Sequence, residues 1–202
     1  MKRVFSKDLS KQLKMCGIGT DSDSIESTPY LGVCHKHDWD HGYETVYGFN
    51  GTRREFYADL REMYGFLMDY FSATSITELI IAPFYRYDQF DKRYYNTKEM
   101  PGMDIFKEIR GFLLGNGVRK GDKTGIKLLV LENTNIIEMI LEGSFRGVSE
   151  LCLFSHEHQV LIEPHHHFDL FFWSQNIESN KEVITDILIK HPSLRCFERQ
   201  AT

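Results

Sequence analysis

Histidine is concentrated in two short stretches of this chain. Eight of its nine histidines fall there: His35, His37 and His41 in the first, and His156, His158, His165, His166 and His167 in the second. Imidazole nitrogens beside carboxylate oxygens are the ligand set of zinc, manganese and iron sites. Residues two apart in a β-strand project to the same side, so each stretch could present a chelating pair.

The first stretch reads CHKHDWDHG over residues 34–42 and offers four candidate metal ligands. These are His35, His37, Asp40 and His41. Their order is similar to the HxHxDH metal motif of the metallo-β-lactamase superfamily, but it reads HxHxxDH, one residue longer. The later ligands of that family find no counterpart, so we do not assign the chain to it. Cys34 beside His35 would point to the opposite face and is expected to be a small buried side chain.

The second stretch, EPHHHFDLFFW, alternates between two faces. Phe168, Leu170 and Phe172 are expected to face the core. His165 and His167, the candidate metal ligands, would then face solvent or a cleft together with Asp169. Asp169 is the candidate catalytic residue, because a carboxylate can orient a histidine as a general base. The same side chains would equally serve as the polar rim of a binding surface.

Neither stretch contains a complete four-ligand signature, and histidines in turns are often only solvated. The chain also lacks an HExxH helix, a GxSxG elbow and a dinucleotide fingerprint. GNGVRKGDKTG at 115–125 is not a phosphate loop, since it should connect a helix to a strand and Asp122 separates Gly121 from Lys123. Whether the chain is an enzyme therefore stays open at this point.

The elements expected to position these residues form a single α/β or α+β domain over residues 1–202. The apolar runs LIIAPF (79–84) and IKLLVL (126–131) are typical of strands covered on both faces, and an amphipathic helix lies between them. This order predicts a right-handed βαβ unit, and thus a mixed sheet with a parallel centre. Short strands at 151–155, 159–163 and 168–174 predict an antiparallel C-terminal meander, with helices packed on the sheet.

Composition limits the classes of partner. The net charge is −5 and the basic residues are dispersed, which argues against nucleic acid and favours a basic protein partner. The four cysteines form no CxxC pair, and no apolar run is long enough to span a membrane, so we expect a cytoplasmic protein. The oligomeric state is not predicted. A tyrosine-rich segment offers candidate partner-binding residues: Tyr85, Tyr87, Tyr94 and Tyr95.

The sequence is compatible with two kinds of function. The favoured one is a non-enzymatic binding or inhibitory module without a cofactor, such as a toxin-neutralising immunity protein, because the charge is acidic and the motifs are incomplete. The alternative is a metal-dependent hydrolase acting on phosphate esters. Its zinc, manganese or iron would be bound by His35, His37, Asp40, His41, His165 and His167, and Asp169 would support a ligand without binding the metal itself.

Overall fold

The computed structural model describes residues 1–15, 17–18, 30–36, 53–83, 103–119, 122 and 124–199. Within these ranges the helices are α1 (Ser6–Met15), α2 (Arg53–Thr74), α3 (Met103–Gly115), α4 (Thr134–Phe145) and α5 (Ile177–Leu188). The strands are β1 (Lys2–Val4), β2 (Tyr30–His35), β3 (Glu78–Pro83), β4 (Gly125–Leu129), β5 (Leu151–Ser155), β6 (Val160–His165), β7 (Asp169–Trp173) and β8 (Leu194–Arg199). The sequence also predicts a short strand at 43–49 from its β-prone residues, and this segment lies outside the described residues.

The strands form one 8-stranded sheet in the order β1-β4-β3-β5-β6-β7-β2-β8. Every neighbouring pair is antiparallel. The prediction of a mixed sheet with a parallel centre is therefore wrong, and β3 and β4 do not form a βαβ unit. Strands β5, β6 and β7 do form an antiparallel meander.

The prediction was wrong because an apolar run indicates that a strand is buried and does not indicate its direction relative to its neighbours. LIIAPF and IKLLVL were expected to be covered on both faces. Leu79–Ala82 are indeed all buried, but the expectation is wrong for the second run, in which Leu129 is 45% and Leu131 81% exposed. Burial on both faces depends on what packs above and below a strand, and it carries no information about the direction of the neighbouring strand. Here the chain between β3 and β4 contains α3 yet brings β4 back antiparallel to β3.

The two faces of the sheet are covered differently. Helices α2, α3, α4 and α5 share one hydrophobic core with the face that carries Leu31, Val33, Leu170 and Phe172. Helix α1 packs on the opposite face, where Leu9 and Leu13 join a smaller cluster. We call these the core face and the α1 face. No helix in the described ranges is long and apolar enough to cross a membrane.

Tyr70 on α2 is fully buried and its hydroxyl donates a hydrogen bond to Asn180 Oδ1 at 2.6 Å. Burial raises the pKa of Tyr70 well above its ordinary value of 10.0. Above about pH 10 the unfolded chain loses a proton that the folded chain keeps, so the free energy of unfolding falls as pH rises.

Above about pH 10, ionisation of Tyr70 in the unfolded chain lowers the free energy of unfolding by up to about 1.4 kcal/mol per pH unit. Tyr70→Phe is expected to remove this contribution. At neutral pH the same substitution should cost about 1 kcal/mol, because the hydrogen bond to Asn180 is lost. Urea unfolding at about pH 8 and about pH 11 measures both effects. An alkaline loss of equal size in Tyr70→Phe would contradict this role.

Candidate metal centre on the α1 face

The turn between β6 and β7 is built on a buried aromatic anchor. The amide of Phe168 donates a hydrogen bond to the carbonyl of His165 at 3.0 Å, which closes the turn. Phe168 has φ of 60°, the left-handed region that a bulky side chain rarely adopts. Its ring is buried, stacks on Phe145 at 4.5 Å and meets Phe56 edge-on at 5.2 Å. Core packing thus stabilises a strained backbone next to the histidines.

His165, His166 and His167 form a compact cluster at this turn. Each contributes one ring nitrogen, and the three nitrogens all lie within 4.8 Å of one another. The ring centroids are 4.1, 4.9 and 4.3 Å apart, and all three residues are half-buried. Burial and the neighbouring imidazoles lower the pKa of His165 to about 3 and that of His166 to about 4. Both rings are therefore neutral near pH 7, the form that binds a metal ion.

Asp169, the first residue of β7, lies beside this cluster. Its Oδ2 is 4.0 Å from His165 Nδ1, and its side chain is 17% exposed. That separation is too long for a hydrogen bond, and within the described part of the chain the buried His165 Nδ1 has no hydrogen-bond partner. Burial raises the pKa of Asp169 to about 7, although the positive charge of Arg195 acts in the opposite direction.

The strand register extends the site across four strands. His165 lies opposite Asp169 in the β6–β7 pair, and Cys34 lies opposite Arg195 in the β2–β8 pair. Because Val33 is opposite Leu170, the next position places Cys34 beside Asp169. The Arg195 Nε donates a hydrogen bond to Cys34 Sγ at 3.3 Å. We call His165, Asp169, Cys34 and Arg195 the polar row.

A second row, two residues along each strand, is mainly aromatic. Phe171 lies opposite both Glu163 and Gly32, and Gly32 lies opposite Phe197. A Cβ at position 32 would collide with the Phe197 ring, so this ring lies directly over the glycine backbone. Phe171 and Phe197 have ring centroids 6.3 Å apart. We call these two phenylalanines the aromatic pair.

Glu163 lies at the β6 end of this second row, and its carboxyl group accepts a hydrogen bond from another residue of the sheet. Trp173 Nε1 donates a hydrogen bond to Glu163 Oε2 at 3.1 Å. Burial raises the pKa of Glu163 to about 7, and the hydrogen bond from Trp173 opposes that shift. The α1 face therefore carries two carboxyl groups, Glu163 and Asp169, that are protonated more readily than exposed ones.

The first histidine group is placed differently. His35 is buried on the core face, where its ring centroid is 6.1 Å from that of Phe168 and its Nδ1 is 3.9 Å from Asp59 Oδ1. Since His35 and His165 lie on opposite faces of the sheet, the structure does not bring them together. The other candidate ligands of that group, His37, Asp40 and His41, lie outside the described residues. So do the candidate partner-binding residues Tyr85, Tyr87, Tyr94 and Tyr95.

The alternation predicted for the second stretch is confirmed. Phe168, Leu170 and Phe172 are in the core, while Phe171 and Trp173 belong to the α1 face. The sequence missed His166, because the two-residue period of a strand does not continue through a turn. It also missed Arg195, which is distant in sequence and only strand pairing brings it to the site.

No protein-family model matches the chain, and neither a curated protein nor a solved structure matches it significantly.

Proposed function

We propose that this protein is a metal-dependent hydrolase whose divalent ion is bound by His165, His166 and His167. The observation that carries the proposal is the convergence of three imidazole nitrogens within 4.8 Å at one turn. Zinc fits this set best, because nitrogen donors suit it, with manganese and iron as alternatives. Three protein ligands leave a coordination position for water or substrate, which is the arrangement of catalytic rather than structural zinc sites.

The surroundings of the cluster fit this chemistry. A bound ion lowers the pKa of its water ligand towards neutrality and so supplies a nucleophile. Asp169 lies next to His165, with its Oδ2 4.0 Å from Nδ1, and a neighbouring carboxylate is a common partner of a metal-bound histidine. Arg195 adds a positive charge to the same face, which favours an anionic substrate such as a phosphate ester. Hydrolysis would add the water oxygen to phosphorus, break the ester P–O bond and transfer a proton to the leaving oxygen.

Metal content tests the proposal directly. Untagged protein equilibrated with zinc and then desalted is expected to retain about one zinc per chain by elemental analysis. His167→Ala should weaken binding by at least about 100-fold, because loss of a ligand exceeds the effect of losing its hydrogen-bond partner. His156→Ala, an exposed histidine in the preceding turn, is the matched control and should bind normally.

Hydrolysis of phosphate monoesters and diesters is measured on the same three proteins. Activity should appear with zinc in the wild type and in His156→Ala, and should be lost in His167→Ala. Absence of stoichiometric metal, or equal affinity in His167→Ala, would contradict the metal centre. Metal binding without any hydrolysis would contradict the enzymatic part alone.

The binding or inhibitory role expected from composition stays a prediction. Its candidate tyrosines lie outside the described residues, and its remaining support is the net charge of −5. A basic protein partner is the kind that this charge favours.

A further inference from the structure

We infer that the substrate of this site carries an aromatic ring next to its anionic group, and that the ring rests on Phe171 and Phe197. The inference builds on the proposed hydrolase and names its substrate class. It comes from the aromatic pair, which the metal centre itself does not require.

The first argument is the spacing of the two rows. Phe197 follows Arg195 by two residues on β8, and Phe171 follows Asp169 by two residues on β7. Residues two apart on a strand face the same side and are separated by about 7 Å. An anionic group held at the polar row would therefore place a directly attached ring over the aromatic pair.

The second argument is the exposure of these rings. Phe197 is 36% exposed and Phe171 is partly exposed, although both lie on the face covered elsewhere by α1. Two residues away along the strands, on the same face, Tyr30 and Trp173 are buried, and the Tyr30 ring is 4.8 Å from Phe171. The aromatic pair is thus the more exposed part of a packed aromatic cluster, on the side next to Arg195 and Asp169.

The third argument is that the Phe197 ring is held in place. It packs directly over the backbone at Gly32 and meets Phe171 edge-on. A ring that is already fixed loses little conformational entropy on contact with a ligand. Ring contacts of this kind strengthen binding by about two- to ten-fold.

Two probes separate the ring from the anion: phenyl phosphate carries both groups, and glycerol 1-phosphate carries only the anion. Calorimetric titration should show about five-fold tighter binding of phenyl phosphate to the wild type. Phe197→Leu should abolish this preference and leave the affinity for glycerol 1-phosphate unchanged. Phe5→Ala, at an exposed phenylalanine near the opposite sheet edge, should retain the preference.

Arg195→Gln is the complementary variant. It should weaken both probes by the same factor, about ten-fold, because the anion is common to both. Arg119→Gln, at an exposed arginine in the connection between α3 and β4, should change neither affinity.

The titrations are made with metal-free protein, in which the proposed hydrolysis of the two phosphate esters does not occur, and zinc binding is measured separately, so that the two proposals fail separately. Absence of zinc binding would contradict the proposed metal centre, while the ratio of the two probe affinities would still test whether a substrate ring contacts Phe171 and Phe197. Equal affinity for the two probes in the wild type, no binding of either, or a preference that survives in Phe197→Leu would each overturn the inference.

Discussion

Phe168→Ala is expected to lower the free energy of unfolding by about 3–4 kcal/mol. The side chain is 3% exposed and contacts two aromatic rings of the core, Phe145 and Phe56. Removing it leaves a cavity beneath the turn. The same change should loosen the three histidines and weaken zinc binding, since the turn would lose its anchor.

The positive φ of Phe168 predicts an order of stability for its variants that burial of the side chain alone does not predict. Glycine is usually less stable than alanine inside a strand or helix by about 0.5–1 kcal/mol. At a positive φ the order reverses, because alanine retains the strain that glycine avoids. Phe168→Gly should therefore be more stable than Phe168→Ala by about 1 kcal/mol.

Phe172 is the matched control, since it is equally buried and lies in extended backbone on β7. Phe172→Gly should be less stable than Phe172→Ala, the opposite of the order at position 168. Urea unfolding of the four variants gives the comparison. If glycine were the worse residue at both positions, the left-handed conformation of Phe168 would be contradicted.

Arg146→Met is expected to cost about 3 kcal/mol of stability. Arg146 donates to Glu142 Oε1 at 2.9 Å, and its guanidinium lies 4.0 Å from the centre of the Phe56 ring. Glu142 is buried and also accepts a hydrogen bond from the Tyr57 hydroxyl at 2.9 Å. Methionine fills similar space but leaves a buried carboxylate without its counter-charge.

A second substitution separates charge from packing. Glu142→Gln in the Arg146→Met background keeps an oxygen acceptor for Tyr57 and removes the uncompensated charge. The double variant should recover most of the loss, to within about 1 kcal/mol of the wild type. Thermal unfolding of the two single variants and the double variant completes the cycle. A double variant no more stable than Arg146→Met would show that stacking on Phe56, and not charge, dominates.

Local pattern predicted the β6–β7 hairpin well. Successive side chains of a strand point to opposite faces, so a local pattern of alternating apolar and polar residues indicates which face is buried. This pattern correctly assigned Leu170 and Phe172 to the core, and Asp169 and Phe171 to the other face. The turn itself was not predicted. Its left-handed residue is a phenylalanine where glycine is the usual choice, and the buried contacts of its ring with Phe145 and Phe56 explain it.

Strand direction and the remote half of the site could not be predicted for a different reason. The helical pattern between β3 and β4 suggested a crossover, but antiparallel pairing is set by contacts between residues far apart in sequence. Arg195 carries no local motif. It reaches the site because β8 pairs with β2, whose opposite edge pairs with β7.

The position of β2 has a consequence for how the molecule forms. Strand β2 is made early, but both of its partners, β7 and β8, follow more than a hundred residues later, and Arg195 and Cys34 are 161 positions apart. Loops of that length must close before any bond of β2 to its neighbours can form, which favours slow folding. Strands β5, β6 and β7 can pair as local hairpins, so the histidine turn can precede the rest of the polar row. On a growing chain, the cationic end of the site is therefore the last part to assemble.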